Sequence, residues 1–238
     1  FRRVLFRSIY QYPVKSLKGQ CIPTAIIEKY GLYGDRSHAF IDLKRKGAFL
    51  TAREAPVLTG YTATLDGEKK DNQFPNVTIT SPSGERFTWD DPSLLKEIEN
   101  ISKRRISRVR YTPNDDLLAV DDHHIHIISL SSIRKMEELY GKEIDIQRFR
   151  ANFILSLNND APFIEETWIG KKLKIGDIEL EVKEPCRRCN MINIDSLTLR
   201  FDHSLLKTVV KSRNSNFGIY ASVVSKGSVK VGDTVFLN

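Results

Sequence analysis

Cysteine is scarce, with three residues in a chain of 238. Three thiols cannot all pair, and a chain of this length buries a core without disulfide staples, so a disulfide scaffold is excluded and a reducing compartment, the cytoplasm, is expected. No apolar run approaches the roughly 20 residues that span a bilayer as a helix, so no membrane segment is expected in the visible chain. A Walker A loop, a Rossmann glycine fingerprint, Gly-x-Ser-x-Gly, His-Glu-x-x-His and a convincing carboxylate pair are all missing. Ordinary nucleotide folds and the common hydrolase machinery go with them. A second Cys-x-x-Cys is also missing, which leaves a structural zinc site short of ligands.

What is present is an ordinary globular composition, 40% hydrophobic and 28% charged, with a formal charge of +7. The opening RRVLFRS (2–8) reads like a translated sequencing-adapter oligonucleotide, so residues 1–8 are set aside as non-native, adapter-derived sequence. Without Arg2, Arg3 and Arg7 the charge falls from +7 to +4. That mild excess suits a small anionic ligand. The basic stretch SKRRISRVRYTPNDD (102–116) has no aromatic stacking platform or recognition helix beside it, so no nucleic-acid polymer is expected as a partner and the stretch reads as a solvated connector between domains.

Short alternating runs dominate. Ala39, Ile41 and Leu43, the turn KRKG, then Phe49 and Leu50 predict a hairpin. YTATL leads into Asp66-Gly67, a hairpin dipeptide, and VTIT and ERFTW flank the turn cluster SPSG. KIGDIEL (174–180) and KVGDTVF (230–236) predict two similar hairpins. Three helices are expected: one capped by Asp91 with Pro92 at its first position, one capped by Ser131 or Ser132 and ended by Gly141, and one around Leu205–Val210. The fold class is therefore α+β, predominantly β.

The chemistry concentrates in EPCRRCNM (184–191). Its Cys186 and Cys189 fit three roles. As half of a zinc site they would need Cys21 and one of His123, His124, His126 or His203; His124 and His126 alternate in a predicted strand and would face one side. As a thioredoxin-like dithiol they would need a helix directly after them, but NMINID reads as extended. As a thiolate that anchors a larger cofactor, one cysteine would be stabilised by Arg187 and Arg188. Elsewhere Lys15, Arg36, Arg53, Arg148, Arg150 and Asn152 stand beside turns or strand ends. Together they suit a phosphate and a polar ring system, because guanidinium forks match phosphate geometry.

In order, YPVKSLKG (12–19), GDRSHAFID (34–42), FLTARE (49–54), DDHHIHIISLSSI (121–133), RFRANFILS (148–156), EETW (165–168), PCRRCNMINID (185–195), FGIYASVV (217–224) and GSVKVGDTVFL (227–237) resemble the MOSC family over about residues 9–238. The resemblance implies an N-terminal β-barrel module over 9–113, followed by a β-barrel-like MOSC domain with a few helices over 114–238. It also implies a molybdenum cofactor, a pterin dithiolene with a terminal phosphate. In the amidoxime-reducing branch one cysteine ligates the metal, and by motif match that residue is Cys189. Lys15, Ser16, Arg36, Arg150 and Asn152 fall on positions implicated in holding pterin and phosphate. Arg53 and Asp121 sit in matching motifs, and Arg187 and Arg188 would steer substrate or an electron donor. The implied activity is reduction of N-hydroxylated small molecules, with electrons from a separate electron-transfer protein. A sulfur-carrier role, with a persulfide on the cysteine, is the alternative. The chain departs from the family at Ile192 and Asn193, where threonines are common, and at Ala151, where proline is.

Overall fold

The structure, a computed structural model, describes residues 4–115, 118–120, 122–157, 161–195 and 198–238. Ten strands and one helix come from the first half: β1 (Val4–Gln11), β2 (Gln20–Ile22), β3 (Thr24–Glu28), β4 (Gly31–Leu32), β5 (His38–Asp42), β6 (Ala48–Phe49), β7 (Thr62–Asp66), β8 (Asn76–Thr80), β9 (Arg86–Thr88), α1 (Pro92–Ser102) and β10 (Ile106–Arg110). The second half supplies β11 (Ile125–Ser129), α2 (Leu130–Tyr140), β12 (Phe153–Leu157), β13 (Lys172–Ile175), β14 (Ile178–Arg187), α3 (Ser204–Arg213), β15 (Asn216–Ser225), β16 (Gly227–Lys230) and β17 (Thr234–Leu237).

Seven strands close a barrel in the order β12-β11-β15-β14-β13-β17-β1, with β1 returning to β12. Alternation explains the closure. Ile178, Leu180 and Val182 on β14, Leu173 and Ile175 on β13, Ile125 and Ile127 on β11, and Phe153 and Leu155 on β12 all point inward and are fully buried. The predominantly β reading holds.

The first strand begins inside the stretch set aside as adapter-like. Val4 and Leu5 pair with both β12 and β17, and Phe6 is buried with its ring edge-on to Phe153 at 4.6 Å. Residues 4–8 therefore belong to the barrel wall. Because β1 completes that wall and β3 pairs with β16, the two halves of the sequence interlock in space.

A second core lies beside the barrel, between the sheets β10-β5-β6 and β7-β8-β9 and helix α1. The predicted hairpin of β5 and β6 and the Asp91 cap of α1 are present, the Asp91 carboxylate accepting the Ser93 N–H at 2.8 Å. Within the connector expected at 102–116, residues 106–110 form strand β10, which pairs along the whole of β5. Its arginines have fixed partners: Arg108 donates to the Asp91 carbonyl at 2.9 Å and Arg110 to His38 Nε2 at 3.2 Å. The cap of helix α2 is Ser129, two residues before Ser131 and three before Ser132, the expected caps. Ser129 accepts the Ser132 N–H, and the buried Glu165 carboxylate in turn accepts the Ser129 hydroxyl at 2.9 Å. KIGDIEL forms a hairpin, but KVGDTVF turns a corner, sending β16 to β3 and β17 to β13.

Candidate functional site

A cavity of about 320 Å³ opens where one end of the barrel meets the second core. Seven chain segments reach it. Lys15 and Ser16 follow β1, Arg36 precedes β5, and Thr51 and Arg53 follow β6. His123 and His126 come from the start of β11, Phe149, Arg150 and Asn152 lead into β12, Cys189 and Met191 follow β14, and Tyr220 stands on β15. Of the residues expected at the site, Cys189, Lys15, Ser16, Arg36, Arg53, Arg150, Asn152 and Arg188 all line this cavity. Asp121 lies outside the described residues.

Backbone geometry sets the positions of three of them. Ser16, Arg36 and Arg150 have φ of 71°, 51° and 54°, a left-handed region that costs a non-glycine residue about 1–2 kcal/mol. Hydrogen bonds, two of them from distant parts of the sequence, hold each one there. The Arg36 N–H donates to the Tyr12 carbonyl at 2.7 Å and the Arg150 N–H to the Gln147 carbonyl at 3.0 Å, while Ser16 Oγ accepts the Ala52 N–H at 3.1 Å.

The basic frame is pre-organised by buried partners. Asp35, 3% exposed, pairs with Arg36 and accepts the Tyr12 N–H at 2.7 Å. Arg36 also donates to Asn152 Oδ1 at 3.3 Å and to the Arg150 carbonyl at 3.2 Å. The Tyr12 ring meets both guanidinium groups, 4.8 Å from Arg36 and 4.3 Å from Arg150, an arrangement that stacks two cations on one aromatic ring. Asn152 is fixed from the other side, accepting the His126 N–H at 3.2 Å and donating to the Tyr10 carbonyl at 3.2 Å. Lys15 Nζ donates to the Ala119 carbonyl at 2.9 Å. Among the described residues Lys15, Arg36, Arg53, Arg150, Arg187 and Arg188 face the cavity against one carboxylate, Asp122, so the wall favours an anion.

The two cysteines part company. Cys189 is exposed and lies on the cavity wall. Cys186 is fully buried, accepting Arg188 Nη1–H at 2.7 Å and a hydrogen bond from the Tyr220 hydroxyl. Arg188 Nη2 donates to the Phe149 carbonyl at 2.8 Å, and its Nε is buried with no hydrogen-bond partner among the described residues. After Cys189 the chain makes a 3-10 turn over Asn190–Asn193 rather than the expected extended run. One such turn is far too short for the helix dipole a thioredoxin-type thiol relies on. Among the described residues no three His, Cys, Asp or Glu side chains gather to hold a metal, and Cys21 is exposed on β2. The zinc constellation does not form there.

The histidines differ as well. His126 is 4% exposed and donates through Nε2 toward the Phe217 carbonyl at 3.2 Å. Burial, reinforced by the charges of Arg188 and Arg36, presses its pKa well below the ordinary histidine range, so the ring stays neutral. His123 is more open. Its Nε2 is 2.9 Å from Glu184 Oε1 and its ring centroid 5.6 Å from that of Tyr220. Burial first, and Cys186 second, push the Tyr220 phenol far up. Tyr12, Asp35, His123, His126 and Tyr220 escaped the sequence reading as site residues. Positions 123 and 126 were visible only as possible zinc ligands, and nothing local marks the others.

The MOSC domain model matches residues 114–236 and the MOSC N-terminal beta barrel domain model matches residues 4–120. Mitochondrial amidoxime-reducing component 1 of Homo sapiens is 25% identical over 96% of this chain and 81% of its own length. Molybdenum cofactor sulfurases also match: that of Drosophila mojavensis is 26% identical over 89% of this chain, and that of Caenorhabditis elegans 35% over 61%. The chain spans only 31% and 20% of those two proteins. Among solved structures, the YUAD protein from Bacillus subtilis shares the fold with a TM-score of 0.55 and 13% identity, over 99% of this chain and 95% of that one. Among the described residues no helix is long and apolar enough to cross a membrane.

Proposed function

Because this chain belongs to the MOSC family, with its N-terminal β-barrel and its MOSC domain both present, we propose that it is a molybdenum-cofactor oxidoreductase that reduces N-hydroxylated compounds such as hydroxylamino bases and amidoximes. The observation that carries this reading is one exposed thiol, Cys189, on the wall of a cavity ringed by six cationic side chains.

The residues suit such a group. A thiolate is a soft ligand appropriate to a thiophilic metal. The cavity lies within the size range of small-molecule sites. The buried Arg188 Nε, without a hydrogen-bond partner among the described residues, is a spare donor at its edge. Lys15, Ser16, Arg36, Arg150 and Asn152 would hold the pterin and its phosphate, Cys189 the metal, and Arg53 and Arg188 the flanks. When bound, the cofactor supplies a two-electron cycle coupled to transfer of one oxygen atom. The chain's own part is to fix the anionic ligand through rigid forks, to keep apolar Phe149 and Met191 against it, and to present a cationic mouth. Electrons come from a separate electron-transfer protein.

Protein produced in a host that makes the cofactor should reduce benzamidoxime with an artificial electron donor, while protein from a host lacking cofactor synthesis should not. Loaded protein without turnover would reduce the assignment to cofactor binding. The names of the sulfurase relatives favour a second reading, in which Cys189 carries a persulfide for sulfur delivery. In that case the apo protein would hold a cyanide-labile sulfur that Cys189→Ala lacks.

A further inference from the structure

Reduction of an N-hydroxyl group consumes two protons as well as two electrons, so the cavity needs a group that can give a proton near neutrality. Most of its titratable side chains are unsuited. Arginine stays charged and lysine holds its proton in this range. His126 is kept neutral by burial and by two guanidinium charges, with its N–H committed to the Phe217 carbonyl. Tyr220 holds its proton, and Cys189 is the proposed ligand. A carboxylate such as Asp122 ordinarily has no proton to give near neutrality. Among the described residues His123 remains, an imidazole on the cavity wall and the side-chain type whose charge changes between about pH 5 and 8.

Its setting is built by the barrel. Glu184 on β14 and Tyr220 on β15 are cross-strand partners, and His123 engages both, the carboxylate at 2.9 Å and the phenol ring at 5.6 Å. The His123 side chain is 28% exposed and that of Glu184 56%, so the imidazole stands between solvent and the cavity. The charged or titratable groups around it are Glu184 and Tyr220 beneath, Asp122 and His124 on its own segment, and Arg187 and Arg188 at the end of β14.

We propose that His123, seated on the Glu184–Tyr220 pair, delivers a proton to the oxygen that leaves the N-hydroxylated substrate. This rests on the reductase reading above. In the overall step the N–O bond breaks, and the nitrogen is reduced by two electrons from the separate electron-transfer protein. The nitrogen takes up one proton from solvent. The oxygen, already bearing its hydrogen, takes the second from His123 and departs as water. His123 passes from imidazolium to imidazole and recovers its proton from solvent at its Glu184 edge.

The test uses molybdenum-loaded wild type, His123→Gln and Glu184→Gln with benzamidoxime. His123→Gln should keep wild-type molybdenum content and KM while kcat falls about 100-fold, the scale of general-acid catalysis. If His123 supplies the proton, kcat in wild type should decline toward high pH and that decline should be absent from His123→Gln. Glu184→Gln, which removes the partner that seats the ring, should also lower kcat. Independently of turnover, the His123 Cε1–H NMR signal, identified by its absence from His123→Gln, should move when benzamidoxime is added without a donor. An active wild type with an equally fast His123→Gln, or an unmoved signal, overturns the role of His123 alone. A loaded wild type that reduces nothing overturns both that role and the reductase reading.

Discussion

Below pH 6.5 the folded protein should lose stability steeply, approaching about 3 kcal/mol per pH unit by pH 5. His38 and His126 are both buried and neutral. Burial, and then the Arg110 charge, push the pKa of His38 down to about 3, and that of His126 is pressed down in the same way by burial and by Arg188 and Arg36. The hydrogen bonds of His38 agree with the neutral form: Nε2 accepts from Arg110, and Nδ1 lies 2.8 Å from a Ser37 hydroxyl that itself donates to the Gly34 carbonyl. The sign follows from which state takes up protons. An unfolded histidine protonates below about pH 6.5 and the folded one does not, so stability is complete above that pH and declines as pH falls toward the folded pKa. Each histidine contributes a slope of up to about 1.4 kcal/mol per unit. The carboxylates whose pKa is lowered, Glu28, Glu54, Asp91, Glu181 and Asp202, add to the decline only at lower pH. Urea-unfolding free energies at pH 7.5, 6.5, 5.5 and 5.0 measure the slope, and His38→Asn should remove about half of it. A flat profile across this range would show that the histidines are not held neutral.

Gly218→Ala should destabilise the protein by about 2–5 kcal/mol, combining left-handed backbone strain with overpacking. Gly218 lies in β15 with φ of +78°. A Cβ there would stand 2.6 Å from His126 Nε2 and 2.7 Å from the Ile127 carbonyl oxygen, and would collide with the Ile128 side chain as well. The neighbours cannot yield easily, because Ile127 and Ile128 are fully buried. Displacing His126 would in turn disturb Asn152, which accepts the His126 N–H, so stability and ligand binding should fall together. A urea midpoint within about 1 kcal/mol of wild type would mean that β15 relaxes around the added methyl group.

The barrel was legible because its strands carry their signal locally. Ile178, Leu180 and Val182 alternate with Glu179 and Glu181, and the pleat turns that pattern directly into an inside and an outside. Strand β10 was not legible, since Arg108 and Arg110 find their acceptors on residues 91 and 38, and a charged run looks the same whether solvated or bound. The α2 cap was expected two or three residues too late because several serines compete locally and buried Glu165 selects Ser129. At the site the cysteine and its cations were visible as residue types in turns. Their support was not: Tyr12 under two guanidinium groups, Asp35 behind Arg36, and His123 on the Glu184–Tyr220 pair all depend on strand pairing that no short window of sequence contains. As residue types Cys186 and Cys189 look alike in EPCRRCNM; the family resemblance singles out Cys189, and the structure leaves it exposed while Cys186 is buried.

That separation is the central claim, and metal content tests it most directly. Molybdenum and pterin per chain should be near stoichiometric in wild type and in Cys186→Ala, and both should be lost in Cys189→Ala, when all three are produced in a host that makes the cofactor. Zinc bound by wild type and lost in both variants, or molybdenum retained by Cys189→Ala, would contradict it.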